Sequence, residues 1–281
     1  MAKGTLYVVA TPIGNLSEMT PRAIETLKSV SVVACEDTRE TAKLCNHFNI
    51  NVPLISSHEH NEYFIVDKLI DMLDKGLNVA LTSDAGYPGI SDPGFLVINK
   101  CISKGINVVV ISGPSAFVNA LVGSGLNTDQ FYFHGFLAAK PSPRKKELEK
   151  IASYPFTIIF YEAPHRILET LEEMRKVFGN RQACIARELT KKFEEYIRGT
   201  LDELIIKAKE TQLKGELVLV VEGTNFEEVA TISNAEILEK INELIEKGIS
   251  ASEAIKQIAT EHKLRKNEVY RIFISSGRNV I

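Results

Sequence analysis

The segment LNVALTSDAGYPGISDPG, residues 77–94, joins a short apolar run to a loop rich in glycine and proline. The run Leu77–Leu81 predicts a buried strand, because it is apolar and bounded by polar residues. The loop Ser83–Gly94 holds three glycines and two prolines in twelve residues. Glycine lets a backbone approach a ligand closely, and proline stiffens the rest of the loop. We therefore expect a rigid, ligand-facing loop at the carboxyl end of a buried strand.

Strands of the same kind lie on both sides of this segment. Four more are predicted from apolar, largely β-branched runs at Leu6–Ala10, Val32–Cys35, Val52–Ile55 and Val108–Ile111. Helical segments separate them: Thr20-Pro21 supplies an N-cap and a first-turn proline, and Asp37–Glu40 predicts a capping box. This alternation predicts an α/β fold with a mostly parallel sheet covered on both faces.

A second set of strands and helices begins after Gly113-Pro114. Helices are expected to start at Ser142-Pro143, near Pro164, and at Thr200, where Glu203 completes a capping box. The strands are predicted at Phe131–Phe136, Phe156–Tyr161, Ala183–Arg187, Glu194–Arg198 and Leu217–Val221.

From about Phe226 onward the pattern predicts helices alone. Ser250 and Glu253 predict a capping box. The amphipathic segments are Ala235–Glu246, Ser252–Thr260 and Lys266–Ile274. The last two are separated by a short polar turn, as in a helix-turn-helix. We expect an α/β domain over residues 1–113, a second over 114–225, and a small helical domain over 226–281.

Composition and cysteine usage restrict the class of protein. Hydrophobic residues make up 44% and charged residues 25%, the balance of an ordinary globular protein. The apolar runs are four or five residues long, as at Leu217–Val221, whereas a bilayer-spanning helix needs about 20. The cysteines Cys35, Cys45, Cys101 and Cys184 form no C-x-x-C pair. This pattern favours a cytoplasmic protein without a zinc site or a disulfide framework.

Four loops follow strands in the first half of the chain, where open α/β sheets bind their ligands. They are Thr11–Leu16, Glu36–Arg39, Ser83–Gly94 and Ser112–Ala116. None carries the G-x-G-x-x-G or G-x-x-x-x-G-K-[ST] pattern of a phosphate-binding loop, and the chain has no G-x-S-x-G nucleophile elbow. These absences argue against a dehydrogenase, a nucleoside triphosphatase and an α/β-hydrolase.

Two aspartates of the third loop are candidate ligand contacts. Asp84 directly follows the predicted strand, where its carboxylate can accept hydrogen bonds from ribose hydroxyls or an amino group. Asp92 has two interpretations: a ligand contact, or an N-cap for a helix starting at Pro93.

The net charge of −3 means that any nucleic-acid surface must be local. Two stretches qualify. Lys140–Lys150 holds five basic and two acidic residues, and His262–Arg278 holds five lysines and arginines against Glu268. Each is either a phosphate-binding surface or an ordinary solvated face.

Taken together, these loops resemble those of the ribosomal RNA small subunit methyltransferase I family, in the tetrapyrrole methylase superfamily. The resemblance spans residues 4–223, and Asn267–Tyr270 also resembles the family's C-terminal helical domain. Tyr87 and Gly89 depart from the family pattern. The matching segments are Thr11–Leu16 (TPIGNL), Glu36–Arg39, Ser83–Gly94, Gly113–Ala116, Gly135–Leu137, Tyr161–Arg166 and Lys214–Glu216.

The resemblance implies two α/β domains with S-adenosylmethionine in the cleft between them, and a homodimer. It implies methylation of a cytidine ribose 2′-hydroxyl in the decoding region of 16S ribosomal RNA. The residues that it places at the cofactor are Pro12, Asp84, Ala85, Gly86, Ser115, Ala116, Tyr161, Glu162, Ala163, Gly215 and Glu216. Among them, Ser115 and Ala116 are expected at the methionine carboxylate, where helix N-terminal amides suit an anion.

Five further residues are candidates for gripping or deprotonating the RNA substrate. A neutral hydroxyl is a weak nucleophile, so a base would assist its attack. The candidates are Glu36, Asp37, Arg39, Lys140 and Arg187. For Glu36 and Arg39, an ion-pair network that stabilises the fold is the alternative.

Two other functions remain open from the sequence. A relative of the same superfamily could methylate a tetrapyrrole precursor or the modified histidine of an elongation factor. Such relatives resemble G-x-G-P-G in the first loop, where this chain has Thr11–Asn15. A non-catalytic nucleic-acid-binding regulator would use the helix-turn-helix but leave the four loops without a role.

Overall fold

The computed structural model describes residues 2–58, 61–224, 233–262, 264 and 266–275. The chain divides into two compact units, Met1–Glu222 and Gly223–Ile281. The first unit contains two five-stranded sheets, which confirms the predicted α/β class. The domain boundaries expected at residues 113 and 225 stay a prediction.

The first sheet is parallel throughout, with the strand order β3-β2-β4-β1-β5. Its strands are β1 (Thr5–Val9), β2 (Val32–Cys35), β3 (Leu54–Ser56), β4 (Val79–Thr82) and β5 (Asn107–Ile111). All five were predicted from the apolar runs. In this order the carboxyl ends of β1, β2, β4 and β5 lie along one edge of the sheet, so the loops that follow them are neighbours.

Helices cover both faces of this sheet, as predicted. They are α1 (Pro21–Ser29), α2 (Thr38–His47), α3 (Glu62–Asp74) and α4 (Phe95–Ser103), with a short 3-10 helix at Leu16–Glu18. Alternation along β1 separates the two cores. Leu6 and Val8 pack with residues of α3 and α4, whereas Val9 packs with residues of α1 and α2. This two-sided burial explains why the strands read as continuous apolar runs.

The second sheet has the order β6-β7-β10-β8-β9. Only β6 and β7 pair in parallel, and the other pairs are antiparallel. The strands are β6 (Phe131–Phe136), β7 (Thr157–Glu162), β8 (Gln182–Arg187), β9 (Glu195–Thr200) and β10 (Leu217–Val221). Its helices are α5 (Ala116–Ser124), α6 (Pro141–Ile151), α7 (Ile167–Phe178) and α8 (Leu201–Glu210). Ile13, from the loop after β1, packs in the core between α5 and this sheet, and so ties the two sheets together.

Most of the predicted helix caps form. Thr20 accepts a hydrogen bond from the Ala23 amide at 3.2 Å, and Thr200 and Glu203 form a complete capping box. The helix predicted at Ser142-Pro143 begins one residue earlier, at Pro141.

In this unit one predicted capping box forms only in part, and one interpretation of Asp92 fails. Asp37 caps α2 through the Arg39 amide, but Glu40 pairs with Lys43 instead of completing a capping box. Asp92 does not cap α4, which begins at Phe95. The Gly94 amide there donates to Glu62 Oε1 at 2.9 Å.

The second unit contains three described helices, α9 (Asn234–Glu246), α10 (Ala251–Glu261) and α11 (Lys266–Ser275). They share a small core that includes Ile241, Ile255 and Phe273. Ser250 accepts from the Glu253 amide, but the Glu253 carboxylate accepts from the Ser250 hydroxyl and not from the Ser250 amide, so the predicted capping box forms only in part.

The predicted basic stretch His262–Arg278 is only partly visible. Lys263, Arg265 and Arg278 lie outside the described residues, whereas the Asn267–Tyr270 segment falls within α11. Among the helices that the structure describes, none is long and apolar enough to cross a membrane.

Candidate functional site

The loops after β1 and β4 are joined by backbone pairing. Thr11 and Gly86 exchange two backbone hydrogen bonds of 2.9 and 3.0 Å, forming an isolated antiparallel bridge. The Thr11 hydroxyl also donates to the Ser83 carbonyl at 3.1 Å. Gly86 has a φ of 77°, a conformation that glycine adopts without strain. The positive φ at the bridge therefore explains why a glycine occupies position 86.

A tyrosine side chain joins the loop after β4 to the loop after β5. The Tyr87 hydroxyl accepts from the Gly113 amide at 3.1 Å and lies 3.3 Å from the Gly113 carbonyl. Gly113 in turn lies against Ala10, the residue after β1: a Cβ on Gly113 would be 2.9 Å from the Ala10 Cβ. Close packing of the backbone thus fixes three loops at the same sheet edge.

A cavity of about 500 Å³ opens between these loops and the second sheet. Small-molecule sites typically occupy about 300–1,000 Å³. The wall from the first sheet comes from the loops after β1, β2, β4 and β5, and the opposite wall from β6, β7 and the turn before β10. The lining residues are Ile13, Glu36, Asp84, Ala85, Gly86, Tyr87, Ile90, Ser91, Asp92, Ser115, Ala116, Phe136, Tyr161, Glu162, Ala163, Pro164, Gly215, Glu216, Leu217 and Val218.

The structure brings together ten of the eleven residues expected at the cofactor. Those lining the cavity are Asp84, Ala85, Gly86, Ser115, Ala116, Tyr161, Glu162, Ala163, Gly215 and Glu216. Pro12 is the exception, because it is buried and lines a second, smaller cavity.

The five candidates for substrate contact are less clustered. Only Glu36 lines the large cavity. Asp37 and Arg39 form an ion pair with each other, with Arg39 Nη2 2.6 Å from Asp37 Oδ2. Lys140 is exposed at the N-cap of α6, and Arg187 pairs with Glu195 at 3.4 Å. Neither Lys140 nor Arg187 lines either cavity.

The charges of the large cavity are of one sign. Five carboxyl-bearing residues line it, and no lysine, arginine or histidine does so among the described residues. Burial raises the pKa of Asp92 to about 6, against a lowering hydrogen bond from Ser83. Partial burial also raises the pKa of Asp84, against a hydrogen bond from the Asp37 amide. The cavity therefore suits a cationic ligand and disfavours a phosphate.

On the second sheet, Glu162 organises the turn between β7 and α7. Its carboxylate accepts from the Ala163 amide at 2.8 Å and from the Thr170 hydroxyl at 2.6 Å. Arg166 Nε lies 3.3 Å from the same carboxylate. Glu162 is thus fully partnered, and its main effect is to hold Ala163 and Pro164 in the cavity wall.

The loop between β8 and β9 supports the turn before β10, although no residue of this loop was predicted to contribute to the site. Lys191 Nζ bridges Glu188 at 2.9 Å and Glu216 at 3.1 Å. The Glu216 amide donates to Glu188 Oε1 at 3.1 Å. Glu188 and Thr190 adopt positive φ angles of 49° and 67°, which are costly for such residues. The only sequence signal is the run of charges that follows the predicted strand Ala183–Arg187.

Further residues that line the large cavity were not predicted at the site, and Asp92 had been given two interpretations. Ile13, Ile90 and Phe136 supply apolar surface. Asp92 follows Ser91, whose φ of 62° turns the backbone sharply. A Cβ on Gly135 would lie 3.3 Å from the Ser91 hydroxyl, so the tip of the loop after β4 touches β6. No local sequence pattern predicts this contact between the two sheets.

The second cavity, of about 290 Å³, lies beside the first. Its lining residues are Thr11, Pro12, Leu16, Glu40, Thr41, Lys43, Leu44, Ser83 and Asp84. Asp84 lines both cavities.

Comparison with known families covers both units of the chain. The model described as Tetrapyrrole (Corrin/Porphyrin) Methylases matches residues 5–205. A model described as Uncharacterised protein family (UPF0181) matches residues 236–269. Among solved structures, the methyltransferase CobJ aligns with a TM-score of 0.60 at 18% identity, covering 79% of this chain and 95% of that one. Uroporphyrin III C-methyl transferase from Thermus thermophilus aligns with a TM-score of 0.56 at 17% identity, covering 77% and 97%. At these identities the likeness establishes the fold alone.

Curated relatives are much more similar. Ribosomal RNA small subunit methyltransferase I of Bacillus subtilis (strain 168) is 48% identical over 271 residues, covering 95% of this chain and 93% of the relative. The protein of the same name from Synechocystis sp. is 46% identical over 270 residues, covering 96% and 97%. With the site geometry and this identity over nearly its whole length, the chain belongs to the ribosomal RNA small subunit methyltransferase I family, within the tetrapyrrole methylases.

Proposed function

We propose that this chain uses S-adenosylmethionine to methylate the ribose 2′-hydroxyl of a cytidine in the decoding region of 16S ribosomal RNA. The observation that carries the proposal is the large cavity. It has the size of a small-molecule site, it is lined by carboxylates without a basic residue among those described, and it belongs to a methyltransferase fold.

The residues present fit this cofactor. S-adenosylmethionine supplies a methyl group activated by a positively charged sulfonium, and Asp84 and Asp92 supply opposite charge within the cavity. Ser115 is the N-cap of α5 and makes no side-chain cap hydrogen bond, which leaves the first amides of the helix for a carboxylate. We assign cofactor binding to Asp84, Ala85, Gly86, Ser115, Ala116, Tyr161, Glu162, Ala163, Gly215 and Glu216. Pro12, in the wall of the adjacent smaller cavity, is assigned to support of the cofactor-binding loop.

The contribution of the protein to the reaction is mainly alignment. A correctly oriented pair of reactants gains about 7–11 kcal/mol over a bimolecular encounter. The bridge between Thr11 and Gly86 and the contact between Tyr87 and Gly113 hold the cavity walls before any ligand arrives. Such preorganisation lowers the cost of binding and of reaching the reactive geometry.

Substrate contacts are assigned to charged residues outside the cavity or at its edge. Glu36, Asp37 and Arg39 follow β2, and the Arg39 side chain is 85% exposed, which leaves its outer surface available to a phosphate. Lys140 is the N-cap of α6, in which Arg144 is buried in ion pairs with Glu169 and Glu173, so Lys140 and the exposed lysines of this helix are the cations available to phosphates. Arg187 is the last residue of β8. The basic stretch His262–Arg278 offers further positive charge for phosphates. Phosphate contacts of this kind predict binding that weakens steeply with salt.

We also propose that the chain acts as a homodimer in the cytoplasm. β5 and β6 are edge strands of their sheets, and both expose apolar side chains, at Val110 and Phe131. On α5, Val122 is 71% exposed. Exposed apolar surface beside unpaired strand edges is a typical site of association. Light scattering should give twice the chain mass, and Val122→Glu should shift it toward the monomer. A monomeric wild type would contradict the dimer.

The test of the main proposal is methyl transfer to small ribosomal subunits purified from cells that lack the enzyme. Labelled S-adenosylmethionine should transfer its methyl group to 16S RNA, and mapping of ribose methylation should place it on a cytidine of the decoding region. Transfer to a tetrapyrrole precursor or to an elongation factor instead would overturn the assigned substrate.

Binding of S-adenosylmethionine separates an enzyme from a non-catalytic regulator. A ligand present at about 100 times its dissociation constant should stabilise the folded protein by about 2.7 kcal/mol. Thermal unfolding with and without the ligand measures this, and an unchanged melting temperature would contradict the proposal.

A further inference from the structure

Asp84 stands between the two cavities. It lines the cavity of about 500 Å³ and also the neighbouring cavity of about 290 Å³. The chain segments on either side of the boundary are continuous: Thr11 and Pro12 line the small cavity, and Ile13 lines the large one. Ser83 lines the small cavity and Ala85 the large one. Ligands in the two cavities would therefore both lie beside the Asp84 side chain, where a group transfer requires their reacting atoms to come into contact.

The two cavities differ in charge and surface. The large cavity has only acidic side chains among its described charged residues. The small cavity combines apolar surface from Pro12, Leu16 and Leu44 with Asp84 and with Lys43, which pairs with Glu40 in the same wall. Arg39 lies four residues before Lys43 on α2, so the two cations share one helix face. Apolar walls beside cations suit one nucleoside with its flanking phosphates.

The Asp84 carboxylate is partly fixed and partly free. Its Oδ1 accepts from the Asp37 amide at 3.1 Å, which ties it to the loop after β2. Asp84 is an exposed residue, and its Oδ2 accepts no hydrogen bond from the residues that the structure describes. Partial burial raises its pKa, which makes the carboxylate a better proton acceptor.

We propose that the small cavity binds the target nucleoside of the RNA and that Asp84 accepts the proton of its 2′-hydroxyl. This inference rests on the proposed function and adds the acceptor site to it. The ribose oxygen forms a bond to the methyl carbon as the methyl–sulfur bond breaks. The electron pair of that bond returns to sulfur, and the hydroxyl proton passes to Asp84 and then to solvent.

A matched pair of substitutions tests the assignment of the two cavities. Leu16 lines the small cavity and Ile90 the large one, and each residue is 42% exposed, so a larger side chain at either position is compatible with folding. Leu16→Trp and Ile90→Trp should be compared by calorimetric titration with S-adenosylmethionine and by initial rates on small ribosomal subunits.

We expect opposite patterns. Leu16→Trp should lower kcat/KM for the subunit by about tenfold or more and leave the dissociation constant of S-adenosylmethionine within about twofold. Ile90→Trp should raise that dissociation constant by about tenfold. If Leu16→Trp weakens cofactor binding as much as Ile90→Trp does, or changes neither quantity, the small cavity is not the acceptor site.

Asp84→Asn tests the proton acceptor, since the amide oxygen can still accept from the Asp37 amide. Because Asp84 also lines the cofactor cavity, the variant should bind S-adenosylmethionine more weakly, and at saturating S-adenosylmethionine its kcat should fall by about 10²–10⁴. The wild-type rate should rise with pH as Asp84 ionises, and the variant should lack this rise. Weakened cofactor binding with an unchanged kcat would overturn the role. If wild type labels no subunit at all, the proposed function fails instead.

Discussion

The Tyr87 hydroxyl lies 3.1 Å from the Gly113 amide nitrogen, although the two residues are 26 positions apart. Through this contact the loop after β4 is fastened to the loop after β5, and Tyr87 itself lines the large cavity. Tyr87 makes this contact through its phenol, and a shorter side chain would not span the same distance. The Tyr87 side chain thus holds the loops after β4 and β5 together.

Tyr87→Phe should loosen this connection. The variant keeps the ring but loses its hydrogen bonds with Gly113, so the free energy of unfolding should fall by about 1 kcal/mol. The affinity for S-adenosylmethionine should fall with it, because Ser115 follows the same loop. Urea unfolding and calorimetric titration measure the two effects. If neither changes, the contact does not support the site.

Asp92 should make cofactor binding depend on pH. Its pKa in the fold is about 6, raised from 3.8, so the free protein is stabilised by this group at low pH. That stabilisation is lost as the pH rises from about 4 through 6. The ionised carboxylate attracts the sulfonium, so the dissociation constant of S-adenosylmethionine should decrease between about pH 5 and 7. Asp92→Asn should flatten this dependence, and a slope that persists in the variant would assign it to another group.

Gly113→Ala should destabilise the sheet edge. The added Cβ would lie 2.9 Å from the Ala10 Cβ and 3.2 Å from the Ala10 carbonyl oxygen, and overpacking of this kind costs about 1–3 kcal/mol. Thermal unfolding measures the loss. The double variant Ala10→Gly, Gly113→Ala removes one of the clashing carbons and should recover part of the stability. A double variant no better than the sum of both losses would contradict this explanation.

The fold was largely predictable because local patterns determine it. Most of the ten strands follow from short apolar runs bounded by polar or glycine residues, and β1, buried on both faces by α1 to α4, is the clearest case. Thr20 and Thr200 were recognised because cap residues act within three positions of themselves. The Asp37 box formed only in part, because the Asp37 amide donates to Asp84 and Glu40 pairs with Lys43.

The site was less predictable because its parts are distant in sequence. Asp92 lines the cavity only because Ser91 adopts a left-handed conformation and the loop tip meets Gly135. Pro12 and Ile13 are adjacent in the chain yet line different cavities. Sequence patterns locate the loops, but the side of a loop that a residue faces depends on the packing of two sheets.

Lys191 gives a further test, of the wall formed by the turn before β10. It bridges Glu188 and Glu216, and Lys191→Met keeps the length of the side chain while removing both ion pairs. The affinity for S-adenosylmethionine should fall a few-fold, because Gly215 and Glu216 lose their support. Lys192→Met, at the exposed neighbouring position, is the matched control and should bind normally. Equal effects of the two substitutions would contradict a specific role for Lys191.

Lys43 should contribute to RNA binding and not to cofactor binding. In the free protein it pairs with Glu40 at the exposed surface, an interaction worth little in water, so it can exchange this partner for a phosphate. Lys43→Ala should weaken binding of the small ribosomal subunit and reduce the slope of log affinity against log salt by about one unit. Lys100→Ala, on α4, should leave the slope unchanged. Since each phosphate contact releases its own counterions, an unaltered slope for Lys43→Ala would place the RNA backbone elsewhere.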